Sequence, residues 1–497
     1  MNPEYIQLFI IISLSFPFLI PFLKKTSRLI LTAQLFFGII FLLFAFFHQQ
    51  AFPIQSTFGD WKLFRGIEII FSDNSLIFLL TTYIVFFAVV IVSFSKKWEW
   101  KFYFLLSLLL TDITCLFVAN DLFNIYVILE LLSLLSYLLI SIELKKRQIW
   151  SSLKYMILGA VGFNLYLIGT SIIYGEVGTL NLTLLASVNY RNDFAMMMIM
   201  IPLLIKSEVF FFSMWVPSAQ TESENCISTI LSAVIVNAGL FHLLRITNTL
   251  NSPNIVLFLL LVGLATAFFG AVLSVFQKDI KMILAFSTMS HVGWVLIALA
   301  GNGAGYACSH SVYKTILFLC VGYYYQLYQS KNGKNQSKPV PISLYLAFLV
   351  GFLSFLGMPF FIGSNFKYAI LLNSNQIISN FLKIISMISI FAMSRILFLL
   401  KPQKKFFLIP TYDFSLMILA ALSIIIGVIN TLNYFSIRLI IEGIIFLLVG
   451  IVFYRLLQKR IYLLYPYKLF KLSSSLALYS IIIGIIISLS VIKIPLF

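Results

Sequence analysis

The feature that most constrains this sequence is a succession of apolar segments that continues through nearly all of its 497 residues. Each segment is about 20 residues long, the length of helix that spans a hydrocarbon core of roughly 30 Å. Hydrophobic residues make up 61% of the chain, whereas a soluble domain has about 45–50%. The sequence therefore predicts an all-α, polytopic transmembrane helical bundle of about 14–16 spans.

About 16 segments have the length needed to cross a bilayer. The first, over residues 6–23, lacks the basic start and the small-residue cleavage site of a signal peptide, so we expect it to be a retained span. The approximate centres of the segments are Ile12, Phe37, Val85, Leu109, Leu132, Leu165, Ile201, Val234, Gly263, Ile297, Leu317, Phe355, Ile388, Ile424, Phe446 and Ile483.

The net charge of +17 is explained by where the basic residues lie. They cluster in alternate loops, as the positive-inside rule requires, which predicts that these loops are cytoplasmic and that both termini are outside. A role in nucleic-acid binding is therefore not expected. The basic clusters are Lys24, Lys25 and Arg28; Lys96, Lys97 and Lys101; Lys145, Lys146 and Arg147; Lys278 and Lys281; Lys331, Lys334 and Lys338; Lys401, Lys404 and Lys405; and Lys459, Arg460, Lys468 and Lys471.

The sequence contains no motif for a cofactor or for hydrolysis. Its 4 cysteines form no C-x-x-C pair, and its 4 histidines have no metal-ligand spacing. It also lacks a Gly-rich phosphate loop and a G-x-S-x-G motif. We therefore predict no cofactor, and a function in transport rather than in ATP or ester hydrolysis.

Three lysines lie deep inside apolar segments: Lys206, Lys314 and Lys367. A charged group there costs about 2.5–3.5 kcal/mol on insertion scales, so the default interpretation is a proton or ion path. The alternative is that each lysine extends its flexible stem to a headgroup. We assign Lys383 and Arg395 to that structural class.

Two further ionisable residues accompany these lysines. Glu130 lies about two turns inside span five, roughly 13 Å along the helix, so it needs a partner, and we predict an ion pair with Lys206. The alternative is a lone protonated glutamic acid inside the bundle. His310 precedes Lys314 by one helical turn on the same face, which favours proton transfer between them through one water. A hydrogen-bonded core histidine is the alternative for His310.

Spans seven and twelve each combine a lysine with helix-breaking residues. Pro217 follows Lys206, and Gly357 and Pro359 precede Lys367. Proline removes a backbone donor and glycine relaxes the helix, so both spans are expected to be discontinuous. Broken helices at corresponding places in two halves indicate an inverted repeat with sites near the midplane.

Five segments between residues 100 and 400 form a pattern found in known proteins. They are Asp-Leu-Phe-Asn-Ile-Tyr-Val-x-x-Glu at residues 121–130; Lys206 with Trp215 and Pro217; Lys278-Asp279-Ile280-Lys281 with Ser287 and Thr288; His310 with Lys314-Thr-Ile-Leu-Phe-Leu; and Gly357-x-Pro359 with Gly363 and Lys367. In these segments the chain resembles the antiporter-like membrane subunits shared by Mrp-type multisubunit Na+/H+ antiporters and respiratory complex I, also called NADH-quinone oxidoreductase. Within that family it looks most like the D-type Mrp subunit.

The resemblance implies a membrane subunit of a multisubunit monovalent cation (Na+)/proton antiporter. Its protons would move through buried half-channels, with Glu130 and Lys206 as a charge pair in the first. Lys314 with His310 would connect the halves, and Lys367 would be the terminal group of the second. Its partners would be other membrane subunits, protons, a monovalent cation and the lipid bilayer.

The resemblance also implies an organisation of the chain. N-terminal helices would occupy residues 1–100, a translocating core of two inverted repeats of five helices would occupy residues 101–400, and C-terminal helices would occupy residues 401–497. The expected location is a bacterial plasma membrane or a similar energy-transducing membrane.

Four positions depart from the family pattern. Asn237 stands where span eight usually has a lysine, and Ser218 stands where an aspartate usually follows Trp-x-Pro. Glu208 and Asp112 are added acids. Three alternatives therefore stay open: a proton-pumping subunit of an NADH-quinone oxidoreductase, a scaffold subunit that does not transport, and an autonomous solute transporter.

Overall fold

The structure is a computed structural model that describes residues 3–48, 52–58, 66–250, 252–299, 301–329, 338–432 and 437–461. Within these ranges the chain is a bundle of α-helices with two short two-stranded sheets. Nine helices in them are long and apolar enough to cross a membrane. The predicted all-α, polytopic membrane fold is therefore confirmed.

The N-terminal part of the bundle consists of long helices and one short helix. A single turn of 3-10 helix, Lys24–Thr26, joins the first two. The helices are α1 (Pro3–Leu19), α2 (Ser27–Phe47), α3 (Asp73–Ser93), α4 (Trp100–Leu116), α5 (Leu122–Ile140), α6 (Lys146–Val177) and α7 (Leu182–Ser187).

The middle part contains one interrupted span and four continuous ones. A π-helical turn, Leu231–Ile235, is inserted between α11 and α12, so that residues 225–250 form one span. The helices are α8 (Asp193–Lys206), α9 (Phe210–Ser213), α10 (Val216–Glu222), α11 (Asn225–Ile230), α12 (Val236–Leu250), α13 (Pro253–Val275), α14 (Ile280–Ile297) and α15 (Gly303–Tyr328).

The C-terminal part contains α16 (Ile342–Leu356), α17 (Ser364–Asn373), α18 (Gln376–Leu399), α19 (Pro410–Leu432) and α20 (Ile437–Ile461). Strand β1 (Ile54–Thr57) pairs with β2 (Glu68–Phe71) in antiparallel orientation. Strand β3 (Lys338–Val340) pairs with β4 (Leu400–Pro402) in parallel orientation.

The predicted span centres fall on helices, but Ile297 is the last residue of α14 and Phe355 lies next to the last residue of α16. Every centre from Ile12 to Phe446 falls on a helical residue, and Ile483 lies outside the described residues. Polar caps begin several of the helices, because a side-chain oxygen there accepts from backbone N–H groups that lack a helical partner. Asp121 caps α5 in this way, and Asp279 caps α14.

The bundle has a distinct centre. Residues 225–244 of the central span are all buried, and so is 89% of α14, whereas 33% of the most apolar stretch of α2 is buried. Most of α15 is also buried. In a membrane, ionisable groups face the bundle interior, and these central helices carry Asn237, His291, His310 and Lys314.

The predicted breaks in spans seven and twelve are confirmed. In span twelve, Gly357 ends α16 with φ 81°, a left-handed conformation that glycine adopts without steric cost. In span seven the break falls at residues 207–209 and not at Pro217, which lies in the first turn of α10. At this break the backbone of Glu208 is left-handed, with φ 62°.

Candidate functional site

Lys206 is the last residue of α8 and is buried. Its ammonium donates hydrogen bonds of 3.0 Å to the hydroxyls of Ser133 on α5 and Tyr155 on α6. The same nitrogen lies 5.1 Å from the centre of the Tyr155 ring. The C-terminal end of a helix favours a positive charge, so α8 itself contributes to holding this lysine inside the bundle.

The predicted ion pair between Glu130 and Lys206 is wrong. On α5, Ser133 is buried and contacts Lys206, whereas Glu130 is exposed on the outer face of the helix. No carboxylate among the described residues lies within 4.0 Å of the Lys206 ammonium. Leu129, the residue before Glu130, is buried. Successive helical residues are turned by about 100°, so Glu130 has the predicted depth but the wrong orientation.

Asp112 lies on α4, which packs against α5, the helix whose Ser133 accepts from Lys206. It is buried, and its Oδ2 atom has no hydrogen-bond partner among the described residues. The sequence showed this residue as an added acid in span four but assigned it no role. Its position relative to Lys206 depends on how α4 packs, which local sequence does not reveal.

Lys314 lies in the middle of α15 and is fully buried. Its ammonium donates to the Ser287 hydroxyl at 2.6 Å and to the Leu284 carbonyl at 3.2 Å. It also lies 5.3 Å from the centre of the Phe355 ring. As with Lys206, uncharged oxygen atoms and a ring face provide the contacts.

His310 lies one turn before Lys314 and is buried. Its Nε2 atom has no hydrogen-bond partner among the described residues. The His310 ring stacks with that of His291, with 5.8 Å between ring centres. The structure thus places a second histidine beside the predicted pair.

His291 on α14 is a candidate that the sequence supported only weakly. Its Nδ1 atom forms hydrogen bonds with the hydroxyls of Tyr306 and Tyr313, the latter at 2.8 Å. Its ring lies 4.4 Å from that of Phe355, centre to centre. His291 and the two tyrosines therefore form a polar network inside the apolar bundle. The two tyrosines gave no signal in the sequence that distinguishes them from other aromatic residues.

Lys367 lies in the first turn of α17, just after the break in span twelve, and is buried. Its ammonium donates to the carbonyls of Phe355 at 3.3 Å and Leu356 at 3.2 Å. These carbonyls end α16, where the helix dipole is negative. The nitrogen also lies 5.1 Å from the ring centre of Trp294. Phe355 therefore contacts both Lys314, through its ring, and Lys367, through its carbonyl.

Asn237 on α12 follows the π-helical turn. Its amide donates to the Ser311 hydroxyl at 2.8 Å, and its Oδ1 atom has no partner among the described residues. Turns of π-helix occur often at functional sites. An asparagine can hydrogen-bond here, but it cannot carry a proton.

Lys383 and Arg395, which we assigned to the structural class, lie on α18. Lys383 lies 3.6 Å from the carboxylate of Glu442 on α20. Arg395 is buried and donates to the Gln277 carbonyl. Neither side chain contacts the three buried lysines through a described hydrogen bond.

A cavity of about 640 Å³ opens at the basic end of the bundle, and we call it the vestibule. Glu143 at its rim forms ion pairs with Lys96 and with Lys145, the latter at 2.7 Å. Partial burial alone would raise the pKa of Glu143, but hydrogen bonds from Lys145, Lys96 and Gln148 outweigh it and lower the pKa to about 2. The vestibule is lined by residues of several helix ends, among them Lys96, Glu143, Lys145, Glu222, Glu224 and Lys281.

The fold and the site together define a polytopic membrane protein whose centre holds a row of ionisable residues, an arrangement typical of proton and ion pathways. Residues 119–389 match the family described as NADH:quinone oxidoreductase/Mrp antiporter, transmembrane. The chain belongs to this family, as its sequence predicted.

The chain is also similar to individual proteins. An antiporter subunit named mnhD2 from Staphylococcus aureus is 28% identical over 428 residues, covering 78% of this chain and 85% of the relative. A chain of the archaeal membrane-bound sulfane sulfur reductase superposes with a TM-score of 0.79 at 23% identity, covering 91% of this chain and 99% of its own. A chain of the Mrp complex from Dietzia sp. DQ12-45-1b also has a TM-score of 0.79, at 17% identity, covering 91% and 98%.

Proposed function

We propose that this chain is a membrane subunit of a multisubunit monovalent cation/proton antiporter and that it moves protons through its buried core, residues 101–400. The observation that carries the proposal is the environment of Lys206, Lys314 and Lys367. All three are buried, and none has a carboxylate within 4.0 Å among the described residues.

Neutral contacts suit a group that must change its protonation state. Each ammonium is held by hydroxyl or backbone carbonyl oxygens. Such a lysine can lose its proton without leaving a buried carboxylate unpaired, which would be costly. Lysine readily becomes neutral in a partly desolvated site, whereas arginine does not. The three lysines are therefore the residues to which we assign proton exchange.

The contacts also suggest an order along the core. Lys206 belongs to the first half, Lys314 with His310 lies at the junction, and Lys367 is the terminal group of the second half. Phe355 bridges Lys314 and Lys367, and His291 packs against it. Histidine can accept and donate protons near neutral pH. This order retains the roles that the family resemblance implies and adds His291.

Other membrane subunits are the partners that we propose. The staphylococcal relative is named an antiporter subunit, and the Dietzia chain belongs to an Mrp complex. Glu130 supports an assembly too, because its carboxylate is exposed among apolar residues of α5. An unpaired charge facing lipid is costly, so we assign this face to contact with a partner subunit. The proposed location is a bacterial plasma membrane.

The test uses vesicles that contain the chain together with its neighbouring membrane subunits. Cation-dependent proton movement is measured for the wild type and for Lys367→Ala, which we expect to slow it by about 100-fold or more. Lys367→Arg should fail as well, since a guanidinium stays protonated. Lys383→Ala is the matched control, because Lys383 pairs with Glu442 outside the buried row.

Wild-type proton movement by an assembled Lys367→Ala complex would contradict the proposed role. A complex in which alanine at each of Lys206, Lys314 and Lys367 leaves transport unchanged would favour the scaffold alternative. A requirement for an organic solute would favour the autonomous transporter.

A second candidate function is a proton-pumping subunit of a respiratory complex. It is supported by the superposition on the chain from the sulfane sulfur reductase, which is described as an archaeal respiratory membrane complex. The two functions are separated by the energy source. A respiratory subunit would move protons only when its complex transfers electrons, whereas an antiporter subunit would move them in response to a cation gradient alone.

A further inference from the structure

The break between α8 and α9 contains a buried acid, Glu208. Its backbone is left-handed, with φ 62°, a conformation that is uncommon for residues other than glycine and worth a functional explanation. Its side chain is only 3% exposed. A carboxylate is thus held in the interior by a strained backbone, two residues after Lys206.

The Glu208 carboxylate is bonded to α10 and forms no ion pair with Lys206. Its Oε1 atom accepts a hydrogen bond from the side-chain amide of Gln220 on α10. Its Oε2 atom is buried and has no hydrogen-bond partner among the described residues. Gln220 lies on α10, which packs against α14, and Ser287 of α14 accepts from the ammonium of Lys314. Helix α10 also packs against α6, whose Tyr155 hydroxyl accepts from Lys206.

A row of polar contacts connects Gln220 with the vestibule. The Gln220 carbonyl accepts from the hydroxyl of Ser228 at 2.6 Å. That hydroxyl in turn accepts from the ammonium of Lys281 at 3.1 Å. Lys281 lines the vestibule. The side chain of Gln220 then donates to Glu208, so polar contacts extend from the vestibule to this carboxylate. Gln220, like Asn237, has an amide that holds its partner and does not itself carry a proton.

The polar residue of the neighbouring helix α12 cannot perform a relay. Asn237 binds Ser311 and has no ionisable group. Glu208, by contrast, is an acid that lies buried at the helix break directly after Lys206. An ionisable group between Lys206 and Lys314 is therefore supplied by the helix break.

We infer that Glu208 is the proton-carrying group that connects the vestibule with the junction of the two half-channels. Its carboxylate takes a proton at Oε2 from a hydronium ion that enters from the vestibule, which leaves a water molecule, and it becomes a carboxylic acid. It then donates that proton to the neutral amine of Lys314, which becomes an ammonium while the carboxylate is restored. This role rests on the proposed function, since it requires that the chain moves protons.

The first experiment compares Glu208→Gln, Glu208→Asp and Glu99→Gln in vesicles that hold the complete complex. Glutamine keeps the size and the contact with Gln220 but cannot carry a proton, so proton movement should fall by about 100-fold or more. Aspartate can still carry a proton and should restore a measurable rate. Glu99 is an exposed acid at the start of α4, and its variant should match the wild type.

Wild-type transport by Glu208→Gln overturns the inference, as does equal loss in the glutamine and aspartate variants at equal amounts of complex. A wild-type complex that moves no protons overturns the proposed function instead. If the glutamine variant does not assemble, the inference is tested on the wild-type complex instead. The complex is treated with dicyclohexylcarbodiimide, a reagent that modifies buried carboxylic acids. Mass spectrometry should find the adduct at Glu208 in proportion to lost transport. Absence of that adduct, or an adduct that leaves transport intact, overturns the inference.

Discussion

At the scale of single residues, the buried lysines are stabilised by oxygen atoms without charge. Lys206 binds two hydroxyls, Lys314 binds a hydroxyl and a carbonyl, and Lys367 binds two carbonyls. Hydrogen bonds to charged donors are stronger than neutral ones. These contacts therefore hold the protonated form in place without the permanent counter-charge that an ion pair would supply.

We expect Tyr155→Phe to weaken the site around Lys206. The change removes a hydroxyl that accepts from the ammonium at 3.0 Å but leaves the ring. The free energy of unfolding should fall by about 0.6–1.7 kcal/mol, the range for hydrogen bonds between membrane helices. Denaturant unfolding of the purified protein measures this change.

Tyr166→Phe is the matched control for that variant. The Tyr166 hydroxyl is buried and has no hydrogen-bond partner among the described residues. Its removal should leave the free energy of unfolding unchanged or raise it, because a buried polar group without a partner is unfavourable. Equal destabilisation by the two variants would show that the Lys206 contact contributes nothing of its own.

At the scale of elements, the two interrupted spans position Lys206 and Lys367 at helix ends. Lys206 ends the helix before one break, and Lys367 lies in the first turn after the other. In span twelve, the carbonyls that end α16 point at the Lys367 ammonium. A continuous helix would use those carbonyls in its own hydrogen bonds, so the break itself creates the binding groups.

We expect Gly357→Ala to disturb the second break. A Cβ atom at this position would lie 2.9 Å from the Cδ atom of Lys367, in a backbone with φ 81°. The left-handed backbone alone should cost about 1–2 kcal/mol, and the displaced lysine stem should slow proton movement. Unfolding and vesicle assays measure the two effects.

Gly175→Ala provides the comparison on α6. A Cβ atom there meets no other atom within 4 Å, and alanine favours a helix over glycine by about 0.8–1.0 kcal/mol. This variant should keep transport and gain stability. A Gly357→Ala protein as stable and active as Gly175→Ala would show that the break tolerates a side chain.

At the scale of the whole molecule, the outer face of α5 is the surface that we assign to a partner subunit. Phe123, Val127 and Leu131 are exposed along this face, and Glu130 lies among them. Exposed apolar residues are normal next to lipid, but a carboxylate at that depth is not. This carboxylate is the reason for the proposal that the α5 face contacts a partner subunit.

We expect Glu130→Ala to reduce association with the partner subunits while the chain itself stays folded. Glu130 forms no ion pair with a described residue, so its removal strands no charge inside the chain. Co-purification of the partner subunits through an affinity tag on this chain measures the effect. Glu99→Ala removes an exposed acid outside this face and should leave the complex intact. Undiminished recovery of partners with Glu130→Ala would contradict the assignment of this surface.

The sequence by itself determined the helical membrane fold, the positions of the spans and the burial of Lys206, Lys314 and Lys367. These properties depend on the hydropathy of neighbouring residues, which is local information. The same local information predicted that spans seven and twelve are broken. It also identified the family, because the motifs that resemble it lie in contiguous segments.

Only the tertiary structure decided which ionisable groups meet. Depth along a helix follows from the sequence, but rotation about the helix axis is fixed by packing against other helices. For that reason Glu130 turned out to face outward, whereas Asp112 is buried on α4, which packs against the α5 helix that holds Lys206. The helix break at Glu208 has a left-handed backbone. The sequence did not indicate this conformation, because the residue is not a glycine.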